Sequence, residues 1–215
     1  MNSVTILLFL LFISFFPAAL AFFWLRGRRS ALSLPFALFF LASGVLSLVL
    51  ALVLQTFITA ETPEAGARLT LISLFRVPLS EESARFLVIS AFFALAELLF
   101  RDFSLFEERA AGAGLLSGLA FAALETAVFA ASEKGIVLIR ALSAAPLHGA
   151  CGIRCAAAAF RFRAAPLSAL LRFLSAAALH TFYNFMLPRG GISAVFAILL
   201  AISALCSSAR AIKRA

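Results

Sequence analysis

Long apolar runs broken by short charged turns dominate this chain. From Val4 to Leu25 no charged side chain occurs, and at ~1.5 Å of rise per residue such a helix crosses a hydrocarbon core of ~30 Å. Arg26, Arg28 and Arg29 close it, and the longer uncharged run Ala31 to Phe57 predicts a second, tilted span. The same pattern predicts further spans over Glu81–Phe100, Ala110–Ala131, Ile136 to about Phe160, Leu167–Leu187 and Ile192–Ala209. Gly114-Leu115-Leu116-Ser117-Gly118 puts small residues four apart, a face for close helix packing. Between the second and third spans, Glu61, Pro63, Glu64 and Gly66 make a polar turn. The apolar piece Leu69–Phe75 that follows is too short to span, which suits an interfacial or re-entrant element. Pro78 is expected to stop it, with Ser80 as N-cap of the third span and Glu81 and Glu82 in the first turn, where orphan N–H groups favour carboxylates. Ala18-Ala19-Leu20-Ala21 offers the small residues of a signal-peptide cleavage site. However, Met1-Asn2-Ser3 carries no Lys or Arg, so the first run is read as a retained helix.

Composition raises this pattern to a fold class. Hydrophobic residues make up 64% of the chain and charged residues 13%, against roughly 25% charged in a soluble domain; the mean hydropathy is +1.09. The expectation is an all-α, polytopic transmembrane bundle of about seven spans, one integral-membrane domain over residues 1–215. The net charge of +8 comes from basic residues scattered between apolar segments, so nucleic acid is excluded as a partner and the lipid bilayer is the expected one. Alternate turns differ sharply in charge. Arg26, Arg28, Arg29, Arg101, Arg109, Arg154, Arg161, Arg163, Arg210, Lys213 and Arg214 fall on one side, and only Arg68, Arg76, Lys134 and Arg189 on the other. The positive-inside bias then predicts the N-terminus outside, the C-terminus in the cytoplasm and a multi-pass location in the plasma or inner membrane. Cys151, Cys155 and Cys206 all lie in apolar segments, which implies no disulfide framework and no metal site built on them.

Against this background the ionisable residues inside the spans stand out. A charge near the bilayer centre costs roughly 2.5–3.5 kcal/mol on insertion scales, so such a group is functional or buried against a partner. Arg85 follows Glu81 by four residues and shares its helix face. Glu125 has no cation within a turn, His148 and Arg140 share the fifth span, and His180 and Asn184 are four apart on the sixth. Arg140 either snorkels to the outer surface or balances one of the carboxylates. Counted from the outer end of each helix, Arg85, Glu125, His180 and Asn184 fall in the outer half, while His148 lies ~18 Å deep. Glu81 is then too shallow to meet His148 unless the third span begins deeper, after a re-entrant Leu69–Val77. Imidazoles, carboxylates, an amide and a guanidinium at overlapping depths on four helices read as one polar active site.

The order Glu81-Glu82-x-x-Arg85, Gly118-x-x-Phe121-x-x-x-Glu125, Arg140 with Pro146-x-His148, and His180-x-x-x-Asn184 resembles the PrsW family of intramembrane proteases. That family belongs to the group containing the CAAX prenyl endopeptidases and CPBP proteins. The resemblance covers roughly residues 80–184. The PrsW pattern usually has Lys where Arg85 stands, and the CAAX group has His where Glu125 stands; the second departure favours PrsW.

The resemblance implies a glutamate-dependent endopeptidase that cuts a membrane-anchored protein, typically an anti-sigma factor, near the outer face. Glu81, with Glu82 as its neighbour, would be the general base on a water, and Arg85 would orient the pair. His148 would position the water, and His180 and Asn184 would donate to the oxyanion. Glu125 would be an accessory carboxylate, and Arg140 and Phe121 would contact substrate. No cofactor or metal is expected on this reading. Zinc held by His148, His180 and a Glu is a rival expectation, although His-Glu-x-x-His is absent. A proton-coupled transporter and a non-catalytic scaffold are two more rivals, the transporter weakened by the lack of an internal repeat.

Overall fold

A computed structural model describes residues 3–28, 33–59, 67–100, 104–132 and 137–212. They form a helical bundle, with no strand among the described residues, built from α1 (Ser3–Arg26), α2 (Leu34–Thr59), α3 (Ala67–Leu99), α4 (Glu107–Ser132), α5 (Val137–Arg161), α6 (Pro166–Met186) and α7 (Gly191–Ala209). The predicted spans fall on these helices to within a few residues, except at α3.

That helix runs unbroken through Pro78. Pro78 removes one backbone donor, and the Ser80 hydroxyl, which was expected to cap a new helix, instead donates to the Val77 carbonyl at 2.7 Å. Leu69–Val77 is therefore part of one long helix rather than a separate re-entrant element, while the polar turn around Glu61–Gly66 lies outside the described residues. The consequence is positional. Glu81 sits ~20 Å from the first residue of α3 rather than at its tip, which brings it to the level of the imidazoles.

Among the described residues, stretches of α1, α2, α4 and α7 are long and apolar enough to cross a membrane. Of these, 78% of the α4 stretch is buried, against 22%, 33% and 17% for α1, α2 and α7, so α4 is central and the other three turn Leu and Phe side chains outward to lipid. Of the helices carrying the charged and imidazole groups, α3, α5 and α6 fall outside that apolar set, while Glu125 lies on α4 within it. Helix α4 packs on α5, α2 and α1, and α5 packs in turn on α6, α7 and α3.

Small residues set the closeness of these contacts. A Cβ on Gly118 would collide with the His148 carbonyl oxygen, one on Gly114 with that of Gly152, and one on Gly152 with that of Gly114. The α4 and α5 backbones therefore touch, as close packing in lipid requires. On the other flank, Gly44 rests on the Ser117 backbone and Ser43 bonds the Ser117 hydroxyl at 2.9 Å, tying α2 to α4. Tyr183 donates to Ser143 at 2.7 Å, tying α6 to α5.

Candidate active site

The site is built where α3, α4, α5 and α6 meet. Arg85 and Glu82 are both fully buried, and the guanidinium donates to Glu82 Oε2 one helical turn away. Glu82 also accepts from the Cys155 thiol at Oε2 (3.4 Å) and from His180 Nδ1 at Oε1 (2.8 Å). Three donors from three helices thus occupy both of its oxygens, and none remains turned toward open space.

Glu81 is placed differently. Its Oε1 accepts from the Gln55 side-chain amide of α2 at 3.3 Å. Its Oε2 is buried, has no hydrogen-bond partner, and lies 3.6 Å from His180 Nε2. A buried acceptor left unmatched is costly, and its position beside an imidazole makes it the atom with capacity to spare.

The partners decide the tautomers of the two imidazoles, whose rings meet edge to face at 4.9 Å. Arg85 Nη2 lies 3.0 Å from His148 Nδ1, and because a guanidinium only donates, Nδ1 accepts. The neutral ring then carries its proton on Nε2, which donates to Glu125 Oε2 at 2.9 Å. His180 is the reverse. Its Nδ1–H donates to Glu82 Oε1, and Nε2 faces Glu81 Oε2 at 3.6 Å, where the neutral ring holds a lone pair.

Phe121, fully buried, lies under this assembly, with its ring 4.4 Å from the Arg85 guanidinium and 4.9 Å from the His148 ring. It packs against Arg85 and His148 on one side and with Ala51 and Ala84 on the other. Arg140 belongs to α5, but its side chain lies outside the described residues. Asn184 is half-buried, one turn beyond His180, and lines a cavity of about 440 Å³ together with Glu81, Glu125 and Gln55. The apolar walls of that cavity include Leu48, Leu52, Val128, Phe129 and Leu187.

Glu81, Glu82, Arg85, Glu125, His148, His180 and Asn184 are thereby brought to one place. Gln55 and Cys155 join them without having been expected there. Gln55 is the amide near the end of an uncharged α2 run, a polar signal that charge alone does not register. Cys155 has no such signal, since a buried thiol in an apolar helix looks like packing.

Glu81, His148 and His180 each offer a ligand atom, all within 4.8 Å of one another, and two histidines with a glutamate is a known catalytic zinc set. Two of the three positions suit a metal. Glu81 Oε2 is free, and His180 Nε2 presents its lone pair with the Glu82 carboxylate steadying the far nitrogen. The third does not, because His148 faces a guanidinium with one nitrogen and donates a proton from the other. As arranged, the residues do not complete a three-ligand site.

Neither the curated proteins nor the solved structures offer a match to this chain. A family model described as PrsW family intramembrane metalloprotease matches residues 33–207, most of the chain and every helix that builds the site, and the protein therefore belongs to that family.

Proposed function

We propose that this membrane-embedded protease hydrolyses peptide bonds with Glu81 as general base, acting with His180 on a water held in the cavity. One observation carries the reading: Glu81 Oε2, without a hydrogen-bond partner, and His180 Nε2 lie 3.6 Å apart, and with the ring neutral both are acceptors. Two acceptors so placed take both hydrogens of one water and leave its lone pair for the substrate carbonyl. The water oxygen bonds to the carbonyl carbon as its proton passes to Glu81 Oε2. The carbonyl becomes an oxyanion, and when the C–N bond breaks Glu81 returns the proton to the leaving nitrogen. Glu82, engaged at both oxygens, holds Arg85 and fixes the His180 tautomer. Donors for the oxyanion are the Asn184 amide and His148 Nε2–H, which would turn from Glu125. This reverses the roles of the imidazoles implied by family resemblance: with His180 neutral and its Nδ1 donating to Glu82, Nε2 accepts from the water, and His148 Nε2–H is the ring donor left for the oxyanion.

The apolar cavity walls suit an unwound stretch of a membrane-anchored, single-span protein such as an anti-sigma factor. With the N-terminus outside, as the Lys/Arg distribution favours, the cut falls near the outer face of the plasma or inner membrane.

Cleavage of a reconstituted single-span substrate tests the base. Glu81→Gln should abolish it while leaving expression and detergent melting unchanged, and cleavage at the wild-type rate would refute the assignment. The metal reading, favoured by the clustered ligand atoms and the family's description, is separated by chelation. Activity that survives a strong chelator supports the glutamate mechanism; loss restored by zinc alone establishes the metal reading.

A further inference from the structure

The structure assigns to Gln55 the task of reserving one oxygen of Glu81 so that the catalytic proton moves through the other; this inference rests on Glu81 being the base. Gln55 is the donor on Glu81 Oε1 (3.3 Å), while Oε2 faces His180 unpaired. Its reach is set by a small-residue contact one layer away. Ala51 of α2 is fully buried with Ala84 of α3 and Phe121 of α4, and the two helices run antiparallel there. One turn onward from Ala51 comes Gln55, and one turn back from Ala84 comes Glu81, so the amide and the carboxylate fall in the same layer.

The chemistry explains why an amide suits this position. With Oε1 committed to a donor, a proton taken from water lands on Oε2, the oxygen beside the reacting atoms, and can be returned from there to the leaving nitrogen. The carbonyl oxygen of the resulting acid still accepts from the amide, so Gln55 serves both protonation states. A cation would hold Glu81 ionised and resist the first transfer; an apolar side chain would leave Oε1 open to compete for the proton and free to turn. Gln55 lines the cavity but in this scheme donates to Glu81 rather than to the reacting atoms, so it is a positioning residue.

The test compares the near-isosteric Gln55→Met with Gln55→Lys in the full-length reconstituted protein, using the single-span substrate. Both should lower kcat by about tenfold or more, the usual effect of losing one hydrogen bond at a reacting group. KM and detergent melting should stay at wild-type values, and the two variants should displace the acidic limb of the rate–pH profile in opposite directions. Wild-type kcat in Gln55→Met, a rise in KM without loss of kcat, or displacement of both profiles the same way would overturn the inference. Should Gln55→Met fail to fold, Gln55→Lys alone decides through its kcat and its profile against wild type. Glu81→Gln run in parallel separates the two levels: an inactive Glu81→Gln beside a fully active Gln55→Met removes only the role of Gln55, whereas an active Glu81→Gln removes the base itself.

Discussion

Adjacent glutamates with the same side chain end in different chemistry because their partners differ. Glu82 is fully buried and accepts from Arg85, Cys155 and His180, whereas Glu81 keeps one oxygen free. Removing the Glu82 charge strands a fully buried guanidinium, and breaking a buried pair from one side typically costs about 3–5 kcal/mol. Glu82→Ala is therefore expected to lower detergent melting and steady-state abundance strongly along with activity, whereas Glu81→Gln loses activity alone. Equal melting curves for the two variants would contradict this division. That both carboxylates would be drawn into a polar cluster was legible from two glutamates and an arginine in an apolar setting. Which one is saturated was not, because the deciding donors come from Cys155 and His180, far along the chain.

Helices α4 and α5 show how a backbone contact between two elements can position a side chain of the site. Gly118 lies against the carbonyl of His148, so any side chain there pushes α5 outward at the level of the imidazole. Gly118→Val should cost about 1–3 kcal/mol of stability by overpacking and a larger factor in kcat, because His148 shifts relative to Arg85 and Glu125. Gly27, whose added Cβ would meet nothing closer than the Trp24 carbonyl oxygen at 3.9 Å, is the control for glycine removal away from the site. Wild-type kcat in Gly118→Val would show that the backbone contact does not position His148. The spacing of Gly114 and Gly118 announced a close contact, and the structure supplies its partner. Pro78 misled for a comparable reason: a proline forbids its own hydrogen bond but not the helix beyond it, and a Ser80 hydroxyl on the Val77 carbonyl accompanies the continuation of α3.

Across the molecule, polar ties join helices whose apolar faces would otherwise pack with little preference in lipid. Arg161 pairs with both oxygens of Glu107 at 2.9 and 2.8 Å, and Arg172 approaches the same carboxylate at 3.6 Å, so α4, α5 and α6 are clasped at one end. These side chains are about one-third exposed, which limits the worth of such pairs to roughly 1 kcal/mol or less. Glu107→Gln is accordingly expected to lower melting by no more than about 2–4 °C and to leave cleavage unchanged, and a loss of cleavage would mean that the clasp reaches the site. Hydropathy, small-residue spacing and charge bias are properties of a few consecutive residues, so the helices, their approximate ends and the set of intramembrane polar groups could be read directly from the chain. Hydrogen-bond partnership is not local: the unpaired oxygen of Glu81, the different partners of His148 and His180, and the presence of Gln55 and Cys155 depend on where α2, α3, α5 and α6 cross. A carboxylate's role follows from which donors reach each oxygen, and only the assembled bundle brings those donors within hydrogen-bonding reach.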